Sequence, residues 1–375
     1  MLLKLTKYLA SGSLVILAIS ACSPHHPQST FANAGPVASQ QSNLYYLMFW
    51  IAGIIFVLVQ GALIFAVLNF RRRENPIPGN DFKVPDLPPK QVHGNTKLEI
   101  LWTIVPALIL ILIAVPTVQT IYETYEPPEG SDPLVVVAMG HQWWWEFRYY
   151  FDGLDGVDLS DARNLPPADI VTAGQLVMPI GQEIELSVTS RDVIHSFWIP
   201  ALNGKRDAAP GRVHPWKLEA DEPGVYFGQC TEFCGLSHSR MRMQAIALEP
   251  EDFQTWVDQQ LVDQTADQIT DEAVARGLTV FENQCARCHV VNGVNEDTSI
   301  GADLVSNAAP NLTHFMSRTT YAGGIFNLYE PDGTVDRTQL EAWIRNAPAE
   351  KPAYAQGRRG MPALGLSEDE IDDVV

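Results

Sequence analysis

Two short stretches of this 375-residue chain hold side chains that could do chemistry. The first is Cys230-Thr231-Glu232-Phe233-Cys234-Gly235-Leu236-Ser237-His238-Ser239-Arg240-Met241. It gathers two thiols, an imidazole and a thioether on one short loop. His195 lies upstream in Asp192-Val193-Ile194-His195-Ser196-Phe197-Trp198. Soft sulfur ligands with imidazole favour copper over hard cations such as magnesium or calcium. A mononuclear blue-copper site takes one Cys, two His and a weak Met. The second thiol here suits two coppers bridged by both sulfurs, each with one histidine, Met241 being a weak axial ligand on one and a carbonyl on the other. Two other readings use the same residues: a Cys230–Cys234 disulfide in an oxidising compartment, and zinc, which usually takes no methionine. His141, His214 and the pair His25-His26 have no such company and read as structural or solvent-facing.

The second stretch is Cys285-Ala286-Arg287-Cys288-His289, the C-x-x-C-H pattern of covalent c-type haem attachment. Two thiols add to the haem vinyl groups and the adjacent histidine ligates iron. Val274, Leu278 and Phe281 in the preceding residues 271–282 have helical spacing, as a helix leading into the motif requires. The iron needs a sixth ligand, and methionine there raises the potential. Met361, in Gly360-Met361-Pro362-Ala363 ahead of a final helix beginning near Ser367, is favoured over Met316. His314 is a weaker alternative. That final helix would run only about nine residues to Val375, shorter than a small cytochrome c usually carries; either the helix is short or the sequence is truncated, which bears on haem-domain stability.

These sites must be carried by elements of different character. Residues 1–121 hold 8 Lys/Arg against 4 Asp/Glu, and residues 122–375 hold 17 against 40. An apolar, slightly basic front therefore joins a strongly acidic body, which argues against nucleic-acid binding. Residues 1–21 read as a signal peptide, with Lys4 and Lys7 ahead of an apolar run. Ile19-Ser20-Ala21-Cys22 resembles a bacterial lipobox, so Cys22 is the expected lipidation site, the alternative being an uncleaved anchor. One cysteine for lipid, two for copper and two for haem use all five in the chain.

Residues 22–43 read as a linker rich in Pro, Ser and Gln. Spans are expected at about 44–70 and 98–118, within a hairpin over 44–121; each is long enough to cross a bilayer. Pro106 and Pro116 are tolerable in a membrane helix. Arg71, Arg72, Arg73, Lys83, Lys90 and Lys97 make the intervening loop cytoplasmic by the positive-inside rule. The acidic body then lies outside, in the periplasm. Glu99, at the start of the second span, reads either as an interface anchor or as a carboxylate at a proton channel.

Residues 122–255 are expected to form one domain, within which the pattern from Pro133 to about Glu249 is of strands. Leu134–Met139 is an apolar run and residues 183–189 alternate with period two. Frequent Gly/Pro turns suggest a β-sandwich or barrel. Trp143–Tyr150 is crowded with aromatics, most of which would simply pack a sheet. Residues 250–270 read as a linker, placed at 256–270, or as a terminal helix of the strand domain; a haem domain follows over 271–375.

Residues 44–255 resemble subunit II of cytochrome c oxidase. The resemblance rests on Trp102-Thr103-Ile104-Val105-Pro106, Gly140-His141-Gln142-Trp143-Trp144-Trp145, His195 and the Cys230–Met241 cluster. With the haem motif, nearly all of residues 44–375 resemble the subunit II of a caa-type oxidase. The resemblance implies a two-helix transmembrane hairpin, an all-β cupredoxin domain with a Greek-key barrel or sandwich, and an all-α class I cytochrome c domain. It implies a dinuclear copper centre, CuA, on His195, Cys230, Cys234, His238, Met241 and the Glu232 carbonyl. The Glu232 carboxylate would contribute to magnesium at the subunit I interface. Trp143 would receive electrons, and Glu99 would stand at the mouth of a proton channel. Electrons from a soluble cytochrome c or a bc complex would pass through haem c and CuA to haem a and CuB in subunit I. Oxygen is reduced there with proton translocation, and subunit III is a further partner. The expected location is the bacterial cytoplasmic membrane, multi-pass, with the copper and haem domains on the periplasmic side. Two alternatives stand beside this: the electron-input subunit of a CuA-containing nitric oxide reductase, and a copper-handling lipoprotein.

Overall fold

The structure is a computed structural model. It describes residues 26–70, 94–125, 132–159, 164–264, 269–295, 309–354 and 359–375. The signal peptide, Cys22 and the basic residues from Arg71 to Lys90 lie outside the described residues.

Two long helices, α1 (Pro36–Phe70) and α2 (Thr96–Tyr125), are apolar and long enough to cross a membrane. Their apolar side chains are unburied by the rest of the protein, Phe56 and Leu58 among them. In lipid this is the low-energy arrangement, because each helix satisfies its own backbone. Gln40, Asn43 and Leu44 of α1 face Gln119, Thr120 and Glu123 of α2 across a small cavity, so the pair forms a hairpin. α1 begins at Pro36 rather than Leu44, so the expected linker gives way to helix at its end. The cause is tertiary. The Ala34 N–H donates to the Ala201 carbonyl, the Asp221 N–H donates to the Ala34 carbonyl, and Val37 and Ala38 are buried. α2 likewise extends beyond both expected ends; Asn95 caps it by accepting from the Lys97 and Leu98 N–H groups.

The strand domain is a two-sheet sandwich, the expected cupredoxin-like architecture. One sheet has the order β3-β2-β1-β5-β8, built from β1 (Leu134–His141), β2 (Trp144–Tyr150), β3 (Ile170–Ala173), β5 (Ile184–Ser190) and β8 (His214–Leu218). The other has the order β4-β10-β9, from β4 (Gln175–Pro179), β9 (Gly224–Gln229) and β10 (Arg242–Leu248). A short pair, β6 (His195–Phe197) and β7 (Arg206–Ala208), lies apart. β1 pairs antiparallel with β2 but parallel with β5, as connections crossing between sheets require. Trp145, Phe147 and Tyr149, alternate residues of the aromatic run, pack with Phe197 in the core of the sandwich. Helix α3 (Pro250–Gln260) buries Phe253 and Val257 on this core, so residues 250–260 are a terminal helix of the sandwich.

The haem domain is mainly helical: α4 (Glu272–Val280), α5 (Arg337–Glu350) and α6 (Glu368–Val374), with two-residue strands β11 (Thr320–Tyr321) and β12 (Phe326–Asn327). α6 is short but held well. Ser367 and Glu370 form a capping box, Ile371 is buried, and Gly277 lets α4 cross directly against the Asp373 backbone.

Candidate copper centre and haem cavity

The sulfur-rich stretch is the loop joining two antiparallel neighbours, β9 and β10. Its neck is closed by the Cys230 N–H donating to the Met241 carbonyl (2.9 Å). The Thr231 N–H donates to the Ser196 carbonyl (3.0 Å), which brings in β6 and with it His195. His195 Nδ1 then lies 3.9 Å from Cys230 Sγ, and the two sulfurs are 3.8 Å apart. Cys234 Sγ is 3.6 Å from His238 Nδ1 and 3.8 Å from Met241 Sδ. The Glu232 carbonyl oxygen is 3.2 Å from Cys230 Sγ, while the Glu232 residue as a whole is exposed. Both cysteines are buried free thiols. Soft sulfur, imidazole and one carbonyl thus converge, a donor set that fits copper.

The orientation of His195 is fixed from behind. Asp192 Oδ1 is 2.8 Å from His195 Nε2, which leaves Nδ1 facing Cys230. Oδ2 of the same carboxylate accepts from the Gln142 N–H (2.8 Å). Burial works against the Asp192 anion, but the hydrogen bonds from His195, Gln142 and Val193 outweigh it and hold the carboxyl below its usual range. Burial also opposes charge on His195, yet Asp192 and Cys230 raise it overall. At the sulfur pair, the hydrogen bond from Cys234 and then that from His195 hold the Cys230 thiol well below its usual range. The same contact and burial push Cys234 up. The pair therefore releases one proton readily, giving a thiolate for a metal. Gly140 in β1 is required here: a Cβ at that position would sit 2.7 Å from the His195 ring.

The haem motif lines a cavity, and Cys285, Cys288, His289 and Met361 all border it. His289 Nδ1 is bound to the Pro310 carbonyl (2.7 Å), leaving Nε2 for a metal, and burial holds the ring below the usual histidine value, in its neutral ligating form. Met316 is 53 % exposed and His314 Nε2 is engaged by the Gln260 carbonyl; neither lines the cavity. A cavity edged by both thiols, a histidine and a methionine fits a covalent haem.

The copper domain contributes His141, Gln142, Trp143 and Trp144 to the lining of the same cavity. Gln142 Nε2 and Trp143 Nε1 both donate to the Cys234 carbonyl, at 2.6 and 3.1 Å. Two consecutive residues therefore touch the haem cavity and the copper loop at once. His141 is not solvent-facing. It is buried, stacked on Trp144, and holds its ring neutral, pushed down by burial to about 4. Glu99 sits in the first turn of α2, where Oε1 accepts from the Asn95 N–H (3.2 Å). Asp192, Gln142 and Gly140 carry no ligand signature of their own. Only the short separation between Asp192 and His195 hinted at one of them.

Comparisons with known proteins agree with this geometry. The family described as cytochrome C oxidase subunit II, periplasmic domain, matches residues 134–248, and its transmembrane domain matches residues 24–120. The cytochrome c family matches residues 274–375. The subunit 2 of Alkalihalophilus pseudofirmus cytochrome c oxidase is 32 % identical over 370 residues, covering 97 % of this chain and 93 % of the relative. That of Bacillus sp. strain PS3 is 30 % identical, covering 92 % and 88 %. The Arabidopsis thaliana subunit 2 is 34 % identical, with 96 % of it matched by 66 % of this chain. These families imply CuA and haem c binding, a membrane anchor, and a place in an oxidase complex with other subunits. The chain belongs to the cytochrome c oxidase subunit II family and carries a fused cytochrome c domain.

Proposed function

We propose that this subunit takes electrons one at a time from an external donor, a soluble cytochrome c or a bc complex, and delivers them to oxidase subunit I. Haem c and CuA, when bound, supply one-electron carriers that change oxidation state without bond rearrangement. Cys285 and Cys288 would hold the haem by thioethers, and His289 and Met361 would ligate its iron. His195, Cys230, Cys234, His238, Met241 and the Glu232 carbonyl would hold the two coppers. Asp192 presents His195 Nδ1 to the site and keeps the ring from turning. The observation that carries the reading is the shared wall: Trp143 lines the haem cavity and donates to the Cys234 carbonyl, which suits an electron-receiving residue.

Other assignments follow the family. The Glu232 carboxylate would bind magnesium at the contact with subunit I, which carries haem a and CuB. Glu99 would stand at the mouth of a proton channel. The hairpin would cross the cytoplasmic membrane twice, with its basic loop inside and both soluble domains in the periplasm. Cys22 would carry a lipid, and subunit III would complete the complex.

The test is metal content and copper EPR on the full chain, matured with haem. Two coppers per covalent haem, with one unpaired electron delocalised over both, is the expected result. One copper or none, with Cys230 and Cys234 joined as a disulfide by mass spectrometry, would overturn the reading.

A further inference from the structure

The haem and copper domains meet on a surface that neither ligand set requires. Helix α5 breaks at Asn346 (φ −156°, ψ 71°), shortly before Pro348. Past the break, Lys351 enters the contact with only 7 % of its surface exposed. Its Nζ donates to the Trp143 carbonyl of the copper domain (2.6 Å) and to the Ala322 carbonyl of the haem domain (2.7 Å). Beside it, Ser237 Oγ donates to the Pro352 carbonyl (2.6 Å) and the Arg242 N–H donates to the Gly323 carbonyl (2.8 Å). Tyr354 lies against the Trp143 indole, centroids 5.6 Å apart, and Trp143 keeps 2 % exposure.

A buried amine is costly unless its donors are met, and so are buried carbonyls left without a donor. Lys351 meets both demands only when the two domains are in register. Its partners are main-chain atoms, which no side-chain rotation can carry out of place. The contact therefore sets the backbone of the cavity wall against the backbone of the haem domain.

We propose that Lys351 is a positioning residue that seats the haem domain on the Trp143 backbone. The seat covers Trp143, so an external donor reduces the copper only by way of the haem domain. This rests on the two sites read under Proposed function. In each passage one electron leaves the donor for the haem iron, and the same electron then leaves the iron for the copper pair.

The test uses the assembled oxidase with Lys351→Met and Lys351→Arg. A photoreductant reduces the haem, and haem oxidation is followed as copper is reduced. Leaving two buried carbonyls without a donor is expected to slow this internal transfer about tenfold or more in Lys351→Met. The haem and copper spectra should stay normal, and Lys351→Arg should recover part of the rate. A wild-type rate in Lys351→Met with both spectra intact overturns the seat. Missing haem or copper in the wild-type complex overturns the underlying reading as well. Amine acylation of the wild-type complex is a second readout that needs no variant. Lys351 should be protected while the exposed Lys205 reacts, and equal labelling of the two overturns the proposal.

Discussion

Gly140→Ala is a one-carbon test of how the copper site is built. The added Cβ would stand 2.7 Å from His195 Cδ2, 3.0 Å from Cγ and 3.2 Å from Cβ, where ordinary contact begins at 3.4 Å. The ring would have to retreat by about 0.7 Å. It has nowhere to go. His195 is fully buried, Asp192 holds Nε2 at 2.8 Å, and Trp145 packs edge-on against the ring with Phe197 in turn against Trp145. Overpacking of this kind costs about 1–3 kcal/mol in stability. Altering a group that orients a metal ligand typically weakens metal binding by roughly 10–100-fold. The assay is copper competition with a chelator on the haem-matured full chain, read by the copper absorption band, with haem absorption as the internal control. Copper affinity should fall by roughly that factor while the haem band is unchanged. Wild-type copper affinity in Gly140→Ala would refute the claim that close approach of β1 to the ring sets the site.

Three further outcomes are expected. Met361→Leu should remove the haem's methionine signature and lower its reduction potential, whereas Met316→Leu, exposed and outside the cavity, should change neither; the reverse pattern in a potentiometric titration would reassign the ligand. Burial, helped by the nearby Arg240 cation, lowers the Lys351 amine to about 7, so seating releases a proton between that value and the ordinary one. The seat should then tighten as pH rises from about 7 towards 10, by up to ~1.4 kcal/mol per unit, and be level below that. Amide exchange over residues 319–323, corrected for intrinsic rates, checks the sign, and loosening with rising pH would contradict it. The acidic body should steer a basic donor, so donor turnover should slow as ionic strength rises; a flat salt profile would exclude steering.

What the sequence disclosed depended on how local the information was. The candidate ligands Cys230, Cys234, His238 and Met241 sit on one loop, and Cys285, Cys288 and His289 on another, so their spacing alone suggests chemistry. The membrane helices announce themselves by continuous apolarity. The start of α1 at Pro36 could not be read, because Ala34 is held by Ala201 and Asp221, far along the chain. His141 carries no signal in sequence for the same reason: its neighbours Glu146 and Trp144 are close in sequence, but the haem cavity it borders is completed by residues beyond 280, such as Cys285 and Met361. Lys351 and Trp143 are 208 positions apart, and nothing in either segment marks the pairing.

One carboxylate ties several of these features together. Asp192 touches the Nε2 of His195 and the N–H of Gln142 in the shared wall, and Arg359 of the haem domain lies 3.9 Å away. Substitutions around it will not sum as independent events. Changing Arg359, Gln142 or His195 alters the same acceptor, so each variant changes the background in which the next is judged. The pairwise coupling energies among these positions, rather than the single-variant effects, are the quantities that describe how the two domains function as one unit.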